Sequence, residues 1–176
     1  PRPCHTRPVC PGTLPRLSWA MPETPRQPLI PDAYAAMVIA GVLLLDFVVP
    51  LPLLPSAGLA SPVTWAGIVL ALCGFALEMR AAQALTAAGT TTRANGVPQA
   101  LVTGGPYRWS RNPFYIGLLL VLAGACLALS LEWALAGLPL LWLLLDRLVV
   151  PHEEALLAQR FGAEWSAYAG AARRWL

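Results

Sequence analysis

The chain has 176 residues, of which 57% are hydrophobic and only 12% charged, with a mean hydropathy of +0.59. A soluble domain carries about 25% charged residues, so the composition excludes an ordinary soluble protein and points to a polytopic membrane protein. A net charge of +3 is too small to indicate nucleic acid as a partner.

Residues 1–31 hold nine of the eighteen prolines and no apolar run long enough for a signal peptide. A disordered tail is expected there, ahead of one membrane domain over 32–176. Met21 opens a second start, MPETPRQPLIPDAY, which would make residues 1–20 an upstream extension. Cys4, His5 and Cys10 fall short of a closed four-ligand zinc site, so no metal is expected. Cys73 and Cys126 lie in apolar runs, and free thiols are expected throughout.

A bilayer core takes about 20 apolar residues per helix, and four stretches qualify: 33–54, 63–82, 114–131 and 133–150. The expected fold is all-α, a polytopic bundle of four transmembrane helices. Pro50, Pro52 and Pro55 break up the end of the first, because proline removes a backbone donor. The third and fourth are joined by little more than Ser130 to Glu132, which predicts a tight antiparallel hairpin. No internal repeat or heptad is evident. Asp46 is expected to reach the outer interface, Glu78 to pair locally with Arg80, and Asp146 with Arg147. Glu132, at the far end, is expected to contribute nothing to a site.

All twelve basic residues are Arg, consistent with a GC-rich prokaryotic source. They fall in the tail, in the 83–113 loop and its flanks, and around the C-terminal end, whereas the connections at 51–62 and 130–132 hold none. Short cytoplasmic loops carry the excess of Arg and Lys, so both termini and the long loop are placed in the cytoplasm, with the chain in a prokaryotic inner membrane. After Pro151, Leu157, Phe161, Trp165, Tyr168, Ala172 and Trp175 recur at helical spacing. They predict a C-terminal amphipathic helix lying in the membrane surface or folding back on the bundle.

The hairpin brings two polar segments to one depth. Helix three starts just after Asn112-Pro113, and helix four returns to the same face just before His152-Glu153-Glu154. Arg111, Asn112 and Tyr115 should therefore lie beside Arg147, Glu153 and Glu154. Pro113 suits the first helical position, and Gly117 lets a backbone or a ligand come close. From the residues alone two readings stand. Arg108 and Arg111 can be positive-side anchors, Tyr107 and Trp109 an interfacial aromatic belt, and the glutamates a solvated helix start. Alternatively they form one polar pocket in which carboxylates meet cations.

The segments GPYRWSRNPFYIG and EEALLAQRFGAEWSAYAGAARRWL resemble the isoprenylcysteine carboxyl methyltransferase and phospholipid N-methyltransferase superfamily over about residues 95–176. The shared pattern is Gly105, Tyr107, Arg111, Asn112, Pro113, Tyr115 and Gly117, then Glu153, Glu154, Leu157, Phe161 and Gly162. The resemblance implies an integral membrane enzyme that uses S-adenosylmethionine and a lipophilic or small acceptor: a prenylcysteine-like carboxylate, a phospholipid amine or a thiol. It assigns Tyr107, Asn112, Pro113, Tyr115, Gly117, Glu153 and Glu154 to the cofactor, Arg111 with the two glutamates to catalysis, and Arg147 to the acceptor. Asn112 stands where the carboxyl methyltransferases carry His, which leaves the acceptor open. Two other readings compete: an NADPH-dependent reductase of the steroid-reductase kind, and a four-helix membrane protein without activity.

Overall fold

A computed structural model describes residues 31–49, 51–55, 57–90 and 98–176. The Pro-rich tail with Cys4, His5, Cys10 and Met21, and Arg93 in the long loop, lie outside the described residues. The chain forms α1 (Pro31–Val48), α2 (Pro62–Ala87), a 3-10 turn (Gly105–Arg108), α3 (Pro113–Leu129), α4 (Glu132–Leu144), a π turn (Leu145–Val149), α5 (Val150–Phe161) and α6 (Ala163–Ala171). Among the described residues there is no strand, only an isolated parallel bridge between Ser110 and Arg173. Proline opens α1, α2 and α3, where its missing N–H has no helical partner to lose.

Two helices are long and apolar enough to cross a membrane: α2, with 26 residues, and the continuous helix Glu132–Phe161, with 30. The apolar stretch Ala36–Val48 and α3 are shorter. The expected spans 33–54 and 114–131 are thus cut back. The first stops at Val48, ahead of the proline run at 50–55. The second stops where Ser130 turns left-handed at φ 53°. At about 1.5 Å per residue, the 17 residues of α3 rise about 25 Å against a hydrocarbon core of about 30 Å.

Glycine decides how α2 and α3 meet. A Cβ added at Gly67 would lie 2.5 Å from the backbone nitrogen of Ala128 and 2.6 Å from the carbonyl of Gly124. One at Gly74 would lie 2.7 Å from the nitrogen of Val121, and one at Gly117 would lie 2.7 Å from the nitrogen of Glu78. The two backbones therefore touch along an antiparallel seam, the close approach that small residues permit between membrane helices. Gly67 and Gly74 are seven apart, as are Gly117 and Gly124. The spacing is two helical turns, and it escapes a hydropathy pattern because its positions are small rather than apolar. The same contact corrects the expectation for Glu78, which makes no ion pair with Arg80 among the described residues. Residues two apart on a helix point in opposite directions.

The other pair of helices is pinned at the far end by carboxylates. Asp46 of α1 accepts the backbone N–H groups of Trp133 (3.0 Å) and Ala134 (3.1 Å), two of the unpaired donors that open α4. Glu132, 8% exposed, accepts the N–H groups of Leu53 (2.6 Å) and Leu54 (2.5 Å). It lies away from the polar cluster as expected, yet it ties down the 51–55 connection. Leu141, Leu145 and Val149 form the buried stripe of the long helix, packed by Val38, Tyr115, Leu119, Leu122 and Trp175.

The C-terminal region differs from a single amphipathic helix. α5 continues α4 through the π turn as one helix, and the chain breaks at Gly162, whose φ of +49° suits a residue without Cβ. α6 then ends at Ala171, and Ala172 is extended (φ −104°, ψ 140°). Of the alternatives read from the sequence, the region folds back on the bundle.

Gly124→Val should lower the thermal unfolding temperature of the detergent-solubilised protein by several degrees, since forced overpacking costs about 1–3 kcal/mol. Gly41→Ala, with nothing within 4 Å of an added Cβ, should not lower it.

Candidate active site

The polar cluster lies where the end of α2, the start of α3, α5 and the chain terminus meet. Residues 110–112 and 173–174 run alongside each other, joined by main-chain and side-chain bonds. The Arg111 N–H donates to the carbonyl of Arg173 at 2.8 Å. The carbonyl of Arg174 accepts Asn112 Nδ2 at 2.8 Å and Ser110 Oγ at 3.2 Å, while Ser110 Oγ accepts the Asn112 N–H at 3.1 Å. Asn112 precedes α3 without capping it through its side chain. Its amide is committed to the terminal strap instead.

The two glutamates have different surroundings. Glu154 is shared by two guanidinium groups: Oε1 meets Arg111 at 3.0 Å, and Oε2 meets Arg174 at 2.6 Å, with Arg174 Nε 3.3 Å from Oε1. Arg174 also reaches Asp146 at 3.6 Å, and hydrogen bonding to Glu154 raises its pKa further above an already basic value. Glu153 accepts only the hydroxyl of Tyr115, at 2.7 Å, and meets no cation among the described residues. Arg111 is held on every side, with one nitrogen donating to the carbonyl of Ala169 at 3.0 Å and the plane set over Trp165 at 5.7 Å. Its Nε is buried with no hydrogen-bond partner among the described residues.

These groups line a cleft whose other walls are apolar, including Leu85, Leu101, Phe114 and Leu156. Tyr107 and Tyr168 close one side. Tyr168 donates its hydroxyl to the Tyr107 carbonyl at 2.8 Å and sets its ring edge-on to Trp165. Burial pushes the Tyr168 phenol up to about 12 and the Tyr107 phenol higher still, with Tyr168 and Glu153 adding to the rise at Tyr107. Both are neutral donors at physiological pH.

Of the residues named from the sequence, Tyr107, Arg111, Asn112, Tyr115, Glu153 and Glu154 are brought together in this cleft. Three are not. Gly117 faces α2, so the close approach it permits is that of Glu78's backbone, not of a ligand. Pro113 is fully buried as the first residue of α3 and does not line the cleft. Arg147, assigned to the acceptor, turns outward with its side chain 73% exposed and pairs with Asp146 at 3.3 Å. The π turn at 145–149 contains it and sets its direction. Sequence reasoning missed Arg174. Nothing local marks it, because its carboxylate partners lie 20 and 28 residues away on another helix.

A family model described as phospholipid methyltransferase matches residues 62–164, from the start of α2 into α6. The chain belongs to the phospholipid methyltransferase family. Neither the search of curated proteins nor that of solved structures found a match. The matched stretch of this methyltransferase contains Tyr107, Arg111, Asn112, Tyr115, Glu153 and Glu154, and it ends before Trp165, Tyr168 and Arg174.

In this family member the guanidinium of Arg111 ties α3 to α5 and α6 together. Arg111→Lys keeps the charge but not the planar fork, and hydrogen bonds to charged groups are worth about 1.5–3 kcal/mol. The variant should release the C-terminal segment, read as faster limited proteolysis beyond Phe161 with the rest of the bundle intact.

Proposed function

We propose that the chain is an S-adenosylmethionine-dependent methyltransferase acting within the membrane on a lipophilic amine acceptor of the phospholipid kind. One observation carries the reading: Glu153 is the carboxylate of the cleft that no described cation neutralises, with only the Tyr115 hydroxyl against it. A buried charge without a counter-ion is costly, and a cationic ligand relieves that cost. Arg111, which lines the same cleft, is the cation available there to a carboxylate. One acceptor for positive charge and one donor for negative charge suit a small zwitterion with excess positive charge, so the residues present fit this cofactor.

When bound, S-adenosylmethionine supplies an electrophilic methyl group on a sulfonium. The chain's own residues bind and orient. Glu153 attracts positive charge, Tyr115 fixes the direction of that carboxylate, and Arg111 and Asn112 build the floor. Holding two reactants in attack geometry is worth about 7–11 kcal/mol when well realised. An amine must lose a proton before or during transfer, and Glu153 is positioned to hold it. The apolar walls at Leu85, Leu101, Phe114 and Leu156 exclude water and accommodate acyl chains.

The four helices are read as four membrane crossings with both ends in the cytoplasm. Arg80, Arg108, Arg111, Arg147, Arg160, Arg173 and Arg174 all belong to the cleft end of the bundle, and the opposite end around 51–61 and 130–132 has none. That asymmetry supports a cytoplasmic cleft.

Titration of the purified protein should detect binding of S-adenosylmethionine and S-adenosylhomocysteine but not of NADPH. Glu153→Gln should weaken S-adenosylmethionine about tenfold to a hundredfold, since about 1.4 kcal/mol is one decade. Glu164→Gln, on α6 outside the cleft, should leave it unchanged. Equal binding by the parent and Glu153→Gln, both folded, would remove the basis for the reading.

Orientation has its own test. Single cysteines at Gly58 and Gly104, where an added Cβ meets nothing within 4 Å, should label from opposite sides of the membrane, the second from the cytoplasm. Labelling of both from one side contradicts the four crossings.

A further inference from the structure

We propose that Arg174 is a positioning residue for the cleft: by holding both oxygens of Glu154 it withdraws that carboxylate, so that Glu153 alone presents negative charge to the ligand. The inference rests on the proposed cofactor and concerns a residue outside the stretch that carries the family match.

The backbone of the terminal strap is fastened independently of the Arg174 side chain. Its carbonyls at 173 and 174 take Arg111 N–H, Ser110 Oγ and Asn112 Nδ2. Trp175 donates to Asp146 at 2.8 Å and packs against Trp142 with ring centroids 6.0 Å apart. What the guanidinium adds is therefore charge and direction. It reaches Glu154 and Asp146 at once, although these are eight residues apart on one helix. Two α-helical turns take about 7.2 residues. The π turn at 145–149 absorbs the extra residue and sets both carboxylates toward one cation.

A charge count follows from these contacts. Among the described residues, with all three carboxylates ionised, Asp146, Glu153 and Glu154 bring three negative charges and Arg111 and Arg174 two positive, a net of one negative charge in the network. Arg147 lies outside it, 73% exposed and screened by water. Without Arg174, Asp146 keeps Arg147 and the Trp175 indole, but Glu154 keeps only one contact to Arg111. Glu154 then faces the cleft as a second carboxylate, and the network carries two negative charges.

S-adenosylmethionine and S-adenosylhomocysteine differ by one unit of net charge, so their affinity ratio reads the charge of the cleft, whereas a loss of shape alone weakens both alike. In calorimetric titrations of the full chain in nanodiscs, Arg174→Gln should raise the preference for S-adenosylmethionine over S-adenosylhomocysteine about tenfold. The double variant Arg174→Gln with Glu154→Gln, which restores the charge count, should return the ratio to that of the parent. Glu154→Gln alone should lower the ratio, which keeps the test readable if Arg174→Gln does not fold. An unchanged ratio in both single variants, or a double variant no nearer the parent than Arg174→Gln, would overturn the role of Arg174 while leaving the cleft reading intact. A parent that binds neither ligand would sink the cleft reading, and this inference with it.

Discussion

Glu154 is the point at which the cleft end of the protein is tied together. Arg111 reaches it from the start of α3 and Arg174 from the terminal strap, and the carboxylate itself stands on α5. Both Arg111 and Glu154 side chains are mostly buried, at 14% and 17% exposure. In that setting the removal of Glu154 leaves the mostly buried Arg111 without its carboxylate, and breaking a buried pair in this way costs about 3–5 kcal/mol. The arrangement of the neighbouring groups follows from this pairing. Arg111 is turned over Trp165, Asn112 is left to hold the strap, and Glu153 remains beside Tyr115 as the open carboxylate.

That cluster is held in place by the seam between α2 and α3. Backbone contact at Gly67, Gly74, Gly117 and Gly124 fixes the height of α3 against α2 and hence the position of residues 110–115 at the mouth of the cleft. Hydrophobic attraction gives little preference between helices in lipid, so close van der Waals contact sets the registry. At the opposite end Asp46 and Glu132 satisfy backbone donors that lipid cannot, and they hold α1 and the 51–55 connection to α4. The ionisable groups at the two ends thus have different tasks. At one end they accept backbone N–H groups, and at the other they line the cleft.

Membership of the phospholipid methyltransferase family agrees with a cleft that is apolar on most sides and charged at one corner. The different partners of the glutamates give the corner its polarity, since one is neutralised by arginine and the other, among the described residues, is held by a tyrosine hydroxyl.

Much of this was determined by the sequence alone. Hydropathy located the helices, because apolar runs need no tertiary information to be seen, although only α2 and the long helix from Glu132 to Phe161 reach membrane length. The short 130–132 connection required α3 and α4 to be antiparallel, which by itself placed Arg111, Asn112 and Tyr115 near Glu153 and Glu154. Tertiary structure decided what depends on direction and distance. Gly117 proved to receive a helix backbone, and Arg147 turned to solvent. Arg174 entered the site from a strap that leaves the helical path at Ala172. A linear pattern assumes about 100° per residue, and the π turn at 145–149 and the left-handed Gly162 both break that regularity. Arg147 within the first and Arg174 beyond the second take their directions from packing rather than from spacing.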